Sequence, residues 1–216
     1  RDEPVFDGQF SNRCYQQAVR QAFYNFSERA IKQKRWDPEL DTRFTQQWSR
    51  IIMHLPYAFQ AKRMFPDVFR HDRINTEMWP SVVEQIGEQP SKPSSDDPEA
   101  LIAWENEMDG YRRAISKTPE YIQFHKERIE KGQRASSLIG NQYTGSIFLA
   151  LMSTFESDLE DNSNLEGELF GLCGYGSGAK AKVFEGKVAP KWREVVARWQ
   201  LFERLAGRVA IDEITY

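Results

Sequence analysis

The sequence contains few of the residues on which disulfide and metal chemistry depend. Only two cysteines, Cys14 and Cys173, and three histidines occur among its 216 residues. Two cysteines cannot form a disulfide framework, and these two lack the spacing of metal ligands. No His-x-x-x-His pair or carboxylate cluster predicts a metal site. We therefore expect a protein of a reducing cytoplasm without a bound metal.

Long apolar runs and an excess of charge of one sign are also absent. No run approaches the roughly 18 apolar residues that predict a membrane span. The formal net charge of −3 gives no basic excess of the kind that predicts nucleic-acid binding. Residues 1–4 lack the apolar core of a signal peptide. Because the chain has no initiator Met, we expect a fragment or a processed piece of a longer protein.

The remaining composition is typical of a folded α/β protein. Hydrophobic residues make up 40% of the chain and aromatic residues 13%. Tyr15, Val19 and Phe23 recur at helical spacing, which predicts a helix over 12–31 with Ser11 as its N-cap. Similar patterns predict further helices over 38–49, 57–64, 98–116, 119–131, 143–156 and 190–206, and strands over 50–54, 168–174 and 180–188.

The segment 66–136 differs in character from its flanks. It is rich in proline and contains a polar loop at 91–97, followed by two polar helices. We expect Pro66 to end the preceding helix and Gly132 to follow the last of these helices as its C′ residue. The apolar content of the segment is too low for a core of its own. We therefore predict one domain, 1–216, with a divergent helical and loop insertion on its rim.

A short apolar run, 51–53, leads directly into His54, Leu55 and Pro56. Open α/β sheets bind ligands at the carboxyl ends of their strands, so His54 is a candidate general acid or oxyanion donor. Taken alone, a histidine in this context is more often buried and structural. The other two histidines, His71 and His125, have polar neighbours and are predicted to lie on the surface.

The loop 140–145 places Asn141 directly before a predicted helix. An asparagine at this position is either structural, as an Asx-type cap or a left-handed turn residue, or an amide that binds a substrate carbonyl near a helix N-terminus. From sequence alone the structural interpretation is favoured.

A glycine-rich turn, 174–178, joins the two last strands and contains Gly176 and Ser177. It does not fit the G-x-x-x-x-G-K-[ST] pattern of a phosphate-binding loop. So short a connection requires an antiparallel hairpin. Its glycines serve either the turn itself or the close approach of a substrate to the backbone.

These motifs, in this order, resemble the carboxyl-terminal half of hydroxymethylglutaryl-CoA synthase, a condensing enzyme of the thiolase fold. The resemblance covers about residues 4–65 and 137–188. It implies a thiolase-like half in which layered helices cover a mixed sheet of the five-stranded type. The matching motifs are the entry segment from Asp7 to Tyr15, the histidine motif 54–57, the asparagine motif 140–146 and the closing turn 171–178.

The resemblance implies the condensation of acetyl-CoA with acetoacetyl-CoA to 3-hydroxy-3-methylglutaryl-CoA, a step of the mevalonate pathway to isoprenoids. His54 would anchor and polarise the acetoacetyl group, and Asn141 would hydrogen-bond the acyl oxygen. No cofactor is implied beyond the coenzyme A thioesters, which are substrates. Lys62 and Arg63 would meet the CoA phosphates, although Phe59 replaces an expected basic residue. Further substrate contacts are implied for Pro56, Tyr143, Gly176 and Ser177.

In the family, the cysteine nucleophile and the glutamate base lie in the amino-terminal half. Neither Cys14 nor Cys173 matches the context of that nucleophile, so we expect this chain alone to be inactive. Its implied partners are the amino-terminal half and, in the complete enzyme, a second subunit, with no nucleic acid or membrane. Two alternatives stay open: a noncatalytic thiolase-like module, and a polyketide β-branching synthase acting on carrier-protein-bound acetoacetate. We also expect the apolar stripes of helices 12–31 and 143–156 to be exposed and to drive association.

Overall fold

The computed structural model describes residues 7–35, 44–176 and 180–211, and these form a mixed α/β structure as predicted. Residues 36–43, which contain the first half of the predicted helix 38–49, lie outside the described ranges, as does Ser177. The elements are α1 (Gly8–Lys32), α2 (Phe44–Gln47), β1 (Trp48–Met53), α3 (Gln60–Arg73), α4 (Trp79–Ile86), α5 (Pro98–Ile115), α6 (Pro119–Arg128), α7 (Glu130–Ile139), a 3₁₀ turn (Tyr143–Gly145), α8 (Ser146–Glu160), β2 (Leu169–Gly176), β3 (Lys180–Lys187), α9 (Trp192–Val196) and α10 (Leu201–Ala206).

The strands of the described residues form one three-stranded sheet in the order β1-β2-β3. β1 runs parallel to β2, with Met53 beside Cys173. β2 and β3 are antiparallel, with Cys173 beside Val183, which confirms the predicted hairpin. Because β1 and β2 are parallel, their carboxyl ends lie at the same edge of the sheet.

Helices cover both faces of this sheet. On one face, the Trp48 ring of β1 lies 5.3 Å from the Phe26 ring of α1, and a Cβ atom at Gly171 of β2 would overlap that Trp48 ring. On the other face, Phe170 stacks on Phe155 of α8 at 5.1 Å between centroids. Successive residues of a strand point to opposite faces, so α1 and α8 lie on opposite sides of β2. Gly171 is the position where the tryptophan requires a residue without a side chain.

The predicted helix 12–31 is confirmed, but the expectation that its apolar stripe is exposed is wrong. Tyr15, Val19, Phe23 and Phe26 are all buried, because α1 packs against the sheet of its own chain. In α8 only part of the apolar stripe is exposed. Phe148 is 66% exposed, whereas the apolar residues on the side of α8 that faces the sheet pack against the core.

The segment 66–136 belongs to the same hydrophobic core as the sheet. Phe69 of α3 contacts the rings of Tyr121 and Phe124 of α6 at 5.3 and 5.1 Å. Trp79 and Ile115 are also buried in this core. The segment is therefore not a rim appendage, because it supplies much of the apolar material that α3 packs against.

The sequence predicts that Pro66 ends the helix, and this prediction is wrong. Pro66 lies inside α3. Proline has no backbone N–H, so the carbonyl of Lys62, four residues earlier, loses its helical donor. The Tyr121 hydroxyl donates a hydrogen bond to this carbonyl at 3.1 Å. The helix continues because α6 supplies the missing donor.

Two further boundaries differ from prediction. Gly132 lies near the start of α7, where a Cβ atom would approach Thr154 Oγ1 of α8 to 3.2 Å, so the glycine allows the two helices to pack closely. The predicted helix 190–206 is two short helices, because Gln200 adopts a left-handed conformation with φ of 53°.

Candidate functional site

His54 follows β1 directly and lies at the edge where β1 and β2 both end. Its backbone N–H donates to the Cys173 carbonyl of β2 at 2.9 Å, which extends the parallel pairing by one residue. Its backbone carbonyl accepts a hydrogen bond from the Tyr15 hydroxyl of α1 at 2.6 Å. The backbone of His54 is therefore held from two directions, by the sheet and by α1.

Two tyrosine rings surround the imidazole. The Tyr15 and Tyr175 centroids lie 6.3 and 5.8 Å from that of His54, and the two tyrosine rings meet edge to face at 4.8 Å. His54 is only 7% exposed, and its Nδ1 atom is buried without a partner among the described residues. With Nδ1 enclosed, Nε2 is the ring nitrogen available to a ligand.

The environment of His54 favours the neutral imidazole. Burial lowers its pKa below the ordinary 6.5, because removal from water disfavours the charged form. A neutral imidazole protonated on Nε2 is a hydrogen-bond donor that carries no charge. The buried structural role and the functional role suggested by the sequence are thus compatible at this position.

The Asn141 loop lies beside β2, since the 3₁₀ turn at Tyr143–Gly145 contacts that strand. The Oδ1 atom of Asn141 accepts hydrogen bonds from the Tyr143 backbone N–H at 2.7 Å and from the Ser146 hydroxyl at 3.2 Å. The bond from the Tyr143 N–H, two residues on, makes an Asx-type turn, so Asn141 has a local structural role, although it is not the N-cap residue of the 3₁₀ turn or of α8. Only its oxygen is used for this, and the Nδ2 amide makes no hydrogen bond to the described residues.

Tyr143 is placed on the outside of this loop. Its side chain is 78% exposed, and its backbone has a φ of 48°, a left-handed conformation that is uncommon for residues other than glycine. The hydrogen bond from its N–H to Asn141 holds this conformation. An exposed aromatic ring in a constrained loop is suited to contact with a ligand or another part of the protein.

The closing turn is described only in part. Gly176 is the last residue of β2 and pairs with Lys180 of β3, and a Cβ atom at Gly176 would meet no atom of the described residues within 4 Å. Ser177 lies outside the described residues.

Pro56 lies between His54 and α3, which carries Lys62 and Arg63. These two cations line a cleft of ≈ 760 Å³ between α1, α3 and α5. The Arg63 guanidinium lies 5.8 Å from the Tyr57 ring centroid. The residues that follow the histidine motif in the chain therefore line a basic cleft, and the exposed Phe59 lies at its border.

Sequence reasoning missed the part of this cleft that α1 and α5 contribute, because those residues lie far apart in the chain. Arg13, Arg20, Arg112 and Arg113 line it together with Lys62 and Arg63. The seven-residue spacing of Arg13 and Arg20, which puts both on one face of α1, was the available signal on that helix. The adjacent Arg112 and Arg113 of α5 gave none, and their segment was interpreted as a rim insertion.

One buried carboxylate organises these cations. Asp67 of α3 is 4% exposed and lies 3.2 Å from Arg20, 3.4 Å from Arg70 and 3.6 Å from Arg112. Burial acts to raise the pKa of Asp67, but the three arginines outweigh it and lower the pKa. Among the described residues, Arg13, Lys62, Arg63 and Arg113 make no ion pair, so these are the cations available to an anionic ligand.

The two cysteines differ in their surroundings. Cys173 is fully buried in β2, and burial raises the pKa of its thiol far above the usual range. Cys14 is partly buried on α1 and has no disulfide partner. The described residues contain no group of three or more His, Cys, Asp or Glu side chains that could hold a metal ion. Within the same residues, no helix is long and apolar enough to cross a membrane.

The prediction that His125 lies on the surface is wrong. It is 5% exposed, and its Nε2 atom lies 3.0 Å from Gln133 Nε2. Burial, followed by the charge of Lys62, lowers the pKa of His125 to about 4. It supports the start of α7 rather than the site.

Residues 2–213 match the protein family described as hydroxymethylglutaryl-coenzyme A synthase C terminal. The match runs through residues 66–136, which the sequence analysis treats as divergent. A hydroxymethylglutaryl-CoA synthase of Haloferax volcanii is 26% identical over 209 residues, which is 97% of this chain and 44% of that protein. The chain therefore spans less than half the length of this relative.

Solved structures show the same fold. A structure of MvaS in complex with 3-hydroxy-3-methylglutaryl coenzyme A superposes with a TM-score of 0.70 at 24% identity, over 100% of this chain and 44% of that one. The HMG synthase of the curacin biosynthetic pathway, in complex with an apo donor acyl carrier protein, gives a TM-score of 0.64 at 17% identity, over 100% and 41% of the two chains. The fold is thus the thiolase-like one that the resemblance implies.

Proposed function

This chain belongs to the hydroxymethylglutaryl-coenzyme A synthase family, and on that premise we propose that it forms the acetoacetyl-binding part of a synthase. The complete protein would condense acetyl-CoA with acetoacetyl-CoA to 3-hydroxy-3-methylglutaryl-CoA. The observation that carries the proposal is that His54 follows the carboxyl end of β1 and that the Asn141 loop contacts the neighbouring strand β2, while a cleft along α3 holds cations that make no ion pair among the described residues.

In the proposed reaction, a cysteine elsewhere in the protein takes the acetyl group from acetyl-CoA and releases CoA. A glutamate removes a proton from the acetyl methyl group, and the resulting carbanion forms a bond to the ketone carbon of acetoacetyl-CoA. The ketone oxygen becomes an alkoxide and takes up a proton. Water then hydrolyses the enzyme thioester, which frees the cysteine and the product.

His54 would act on the ketone of acetoacetyl-CoA. A neutral imidazole donates from Nε2 to the ketone oxygen and stabilises the negative charge that develops there. Its lowered pKa keeps the ring uncharged before the reaction, and the contacts of Tyr15 and Cys173 with its backbone fix its position. Positioned donors of this kind are each worth a few kcal/mol of barrier.

Asn141 would supply a second donor at the same edge. Its oxygen is occupied within the loop, so its Nδ2 amide is the end available to an acyl oxygen. Tyr143, Pro56, Gly176 and Ser177 would line the acyl group, with the exposed Tyr143 ring at the entrance.

The basic cleft would bind the phosphates of coenzyme A. Lys62 and Arg63 lie on α3 directly after the histidine motif, and Arg13 and Arg113 extend the positive surface across α1 and α5. Phosphate groups pair well with such guanidinium and ammonium groups.

A carrier-protein-bound acetoacetyl group is the second candidate substrate. Phe59, which is 63% exposed, stands where a basic residue is expected for free CoA, and a synthase of the same fold is known with an acyl carrier protein bound. An acidic carrier protein would find the same arginines at the border of the cleft.

The remaining features of the proposal concern the surroundings of the site. The exposed Phe59, Tyr143 and Phe148 would be covered by the amino-terminal half that carries the cysteine and glutamate, and the complete enzyme would be a homodimer. No cofactor is needed beyond the thioester substrates. The two unpaired thiols favour a cytoplasmic location.

The test uses the natural protein that contains this sequence. It is incubated with acetyl-CoA and either acetoacetyl-CoA or an acetoacetyl-loaded carrier protein, and both CoA release and the condensed product are measured. We expect product with free acetoacetyl-CoA. Product only from the loaded carrier would select the second candidate, and no condensation with either substrate would leave a noncatalytic module.

A further inference from the structure

We propose that Ser146 is a positioning residue that fixes which end of the Asn141 side-chain amide faces the substrate. This inference rests on the proposed function, in which the Nδ2 amide of Asn141 donates to an acyl oxygen. An asparagine amide has a donor end and an acceptor end of nearly the same shape, so its direction must be set by its neighbours.

Both lone pairs of the Asn141 oxygen are occupied inside the loop. The Tyr143 backbone N–H donates to Oδ1 at 2.7 Å, and the Ser146 hydroxyl donates to it at 3.2 Å. A carbonyl oxygen has two acceptor positions, so this end of the amide has no capacity left for a ligand. The two N–H bonds of Nδ2 make no hydrogen bond within the described residues and remain for a ligand.

The direction of the Ser146 hydroxyl is itself determined. The Gln142 backbone N–H donates to Ser146 Oγ at 3.1 Å. This N–H can only donate, so Oγ acts as acceptor towards Gln142 and sends its single proton to Asn141. The two hydrogen bonds therefore have one donor-to-acceptor direction, from the Gln142 N–H to Ser146 Oγ and from the Ser146 hydroxyl to Asn141 Oδ1.

The reversed amide is unfavourable in this setting. Nδ2 would face the Tyr143 N–H, so two donors would meet without an acceptor. Nδ2 could still donate to Ser146 Oγ, but the serine proton would then lack a partner. Ser146 is fully buried at the start of α8, so water cannot replace the lost acceptor, and an unpaired buried polar group is costly.

Removal of the Ser146 hydroxyl should weaken the orientation of the Asn141 amide without abolishing it. In Ser146→Ala the Tyr143 N–H still binds Oδ1, so the amide keeps one of its two orienting contacts. Loss of a complete oxyanion donor lowers turnover by about 10²–10³, and we expect about that from Asn141→Ala. For Ser146→Ala we expect a smaller loss in kcat, of about tenfold.

A double-mutant cycle in the natural protein tests the inference. The variants are Ser146→Ala, Asn141→Ala and the two combined, each assayed for kcat per folded molecule. Because Ser146 acts through Asn141, we expect the second substitution to lower kcat by less than about twofold when Asn141 is already alanine. Equal losses from Ser146→Ala in both backgrounds would contradict a positioning role.

Ser153→Ala is the matched control. Ser153 is also a fully buried serine of α8, and its hydroxyl also donates once and accepts once, to the Lys131 carbonyl at 2.6 Å and from the Ala135 N–H at 3.1 Å. It binds α7 rather than the Asn141 loop. We expect this variant to lower the melting temperature and to leave kcat per folded molecule unchanged. An equal loss of kcat in Ser153→Ala would overturn the assignment.

A readout without turnover separates this inference from the proposed function. With selective ¹⁵N labelling of asparagine, the side-chain amide resonances of Asn141, assigned through Asn141→Ala, should shift in Ser146→Ala and not in Ser153→Ala. If the natural protein shows no synthase activity, the proposed function fails while the resonances still report the amide. Resonances unchanged by Ser146→Ala would contradict the inference whatever the activity.

Discussion

At the scale of single residues, the two buried histidines contribute to the pH dependence of stability. Burial lowers the pKa of His54, and burial with the nearby Lys62 charge lowers that of His125 to about 4. Both therefore fold in the neutral form. The unfolded chain, with a histidine pKa near 6.5, takes up these protons first as the pH falls.

We predict that the free energy of unfolding is fully retained above pH 6.5 and declines as the pH falls from 6.5 towards 4. One proton contributes a slope of at most about 1.4 kcal/mol per pH unit. Urea unfolding at several pH values, compared with His125→Gln, measures the contribution of His125. The free energy of unfolding of the variant should change less with pH over this range. An identical pH profile in both proteins would mean that His125 titrates normally in the folded state.

The same residue shows where sequence reasoning stopped. His125 has polar neighbours in the chain, but α6 turns it towards Gln133 of α7, and no local pattern reports that contact. Asn141 is the opposite case. The hydrogen bonds to its oxygen come from residues two and five positions away, so the sequence could predict a local structural role.

At the scale of elements, α3 shows why a strong local rule failed. Pro66 lies within the helix because the Tyr121 hydroxyl, 59 residues beyond Lys62, donates to the carbonyl that proline leaves without a donor. By contrast, the helix 12–31 was predictable, because its apolar spacing is a local property that packing against the sheet only confirms. The direction in which that stripe faces depended on the sheet and was not predictable.

We expect Tyr121→Phe to lower the free energy of unfolding by about 1–3 kcal/mol, because the Lys62 carbonyl loses its donor in a part-buried hydrogen bond. The effect should be smaller in a Pro66→Ala background, where a backbone N–H can replace the hydroxyl. Chemical unfolding of the two single variants and the double variant measures this coupling. An equal cost of Tyr121→Phe in both backgrounds would show that the hydroxyl does not compensate for the proline.

At the scale of the whole molecule, the candidate site is formed by segments that lie far apart in the chain. His54 follows β1, the Asn141 loop contacts β2, and the cleft combines α1, α3 and α5. The order of motifs was enough to identify the family and the two candidate donors. The arginines of α1 and α5 were not found, because only the folded chain brings them beside Lys62.

The most direct measurement of the central claim is the turnover of His54→Ala in the natural protein, per folded molecule, with His71→Ala as the control. His71 is an exposed histidine of α3 whose ring stacks on Tyr24, away from the sheet edge. We predict a loss in kcat of about 10²-fold or more for His54→Ala, with weaker acetoacetyl-CoA binding, and no change for His71→Ala. If His54 is only structural, His54→Ala would instead melt earlier and keep its rate once folded, and that result would contradict the account.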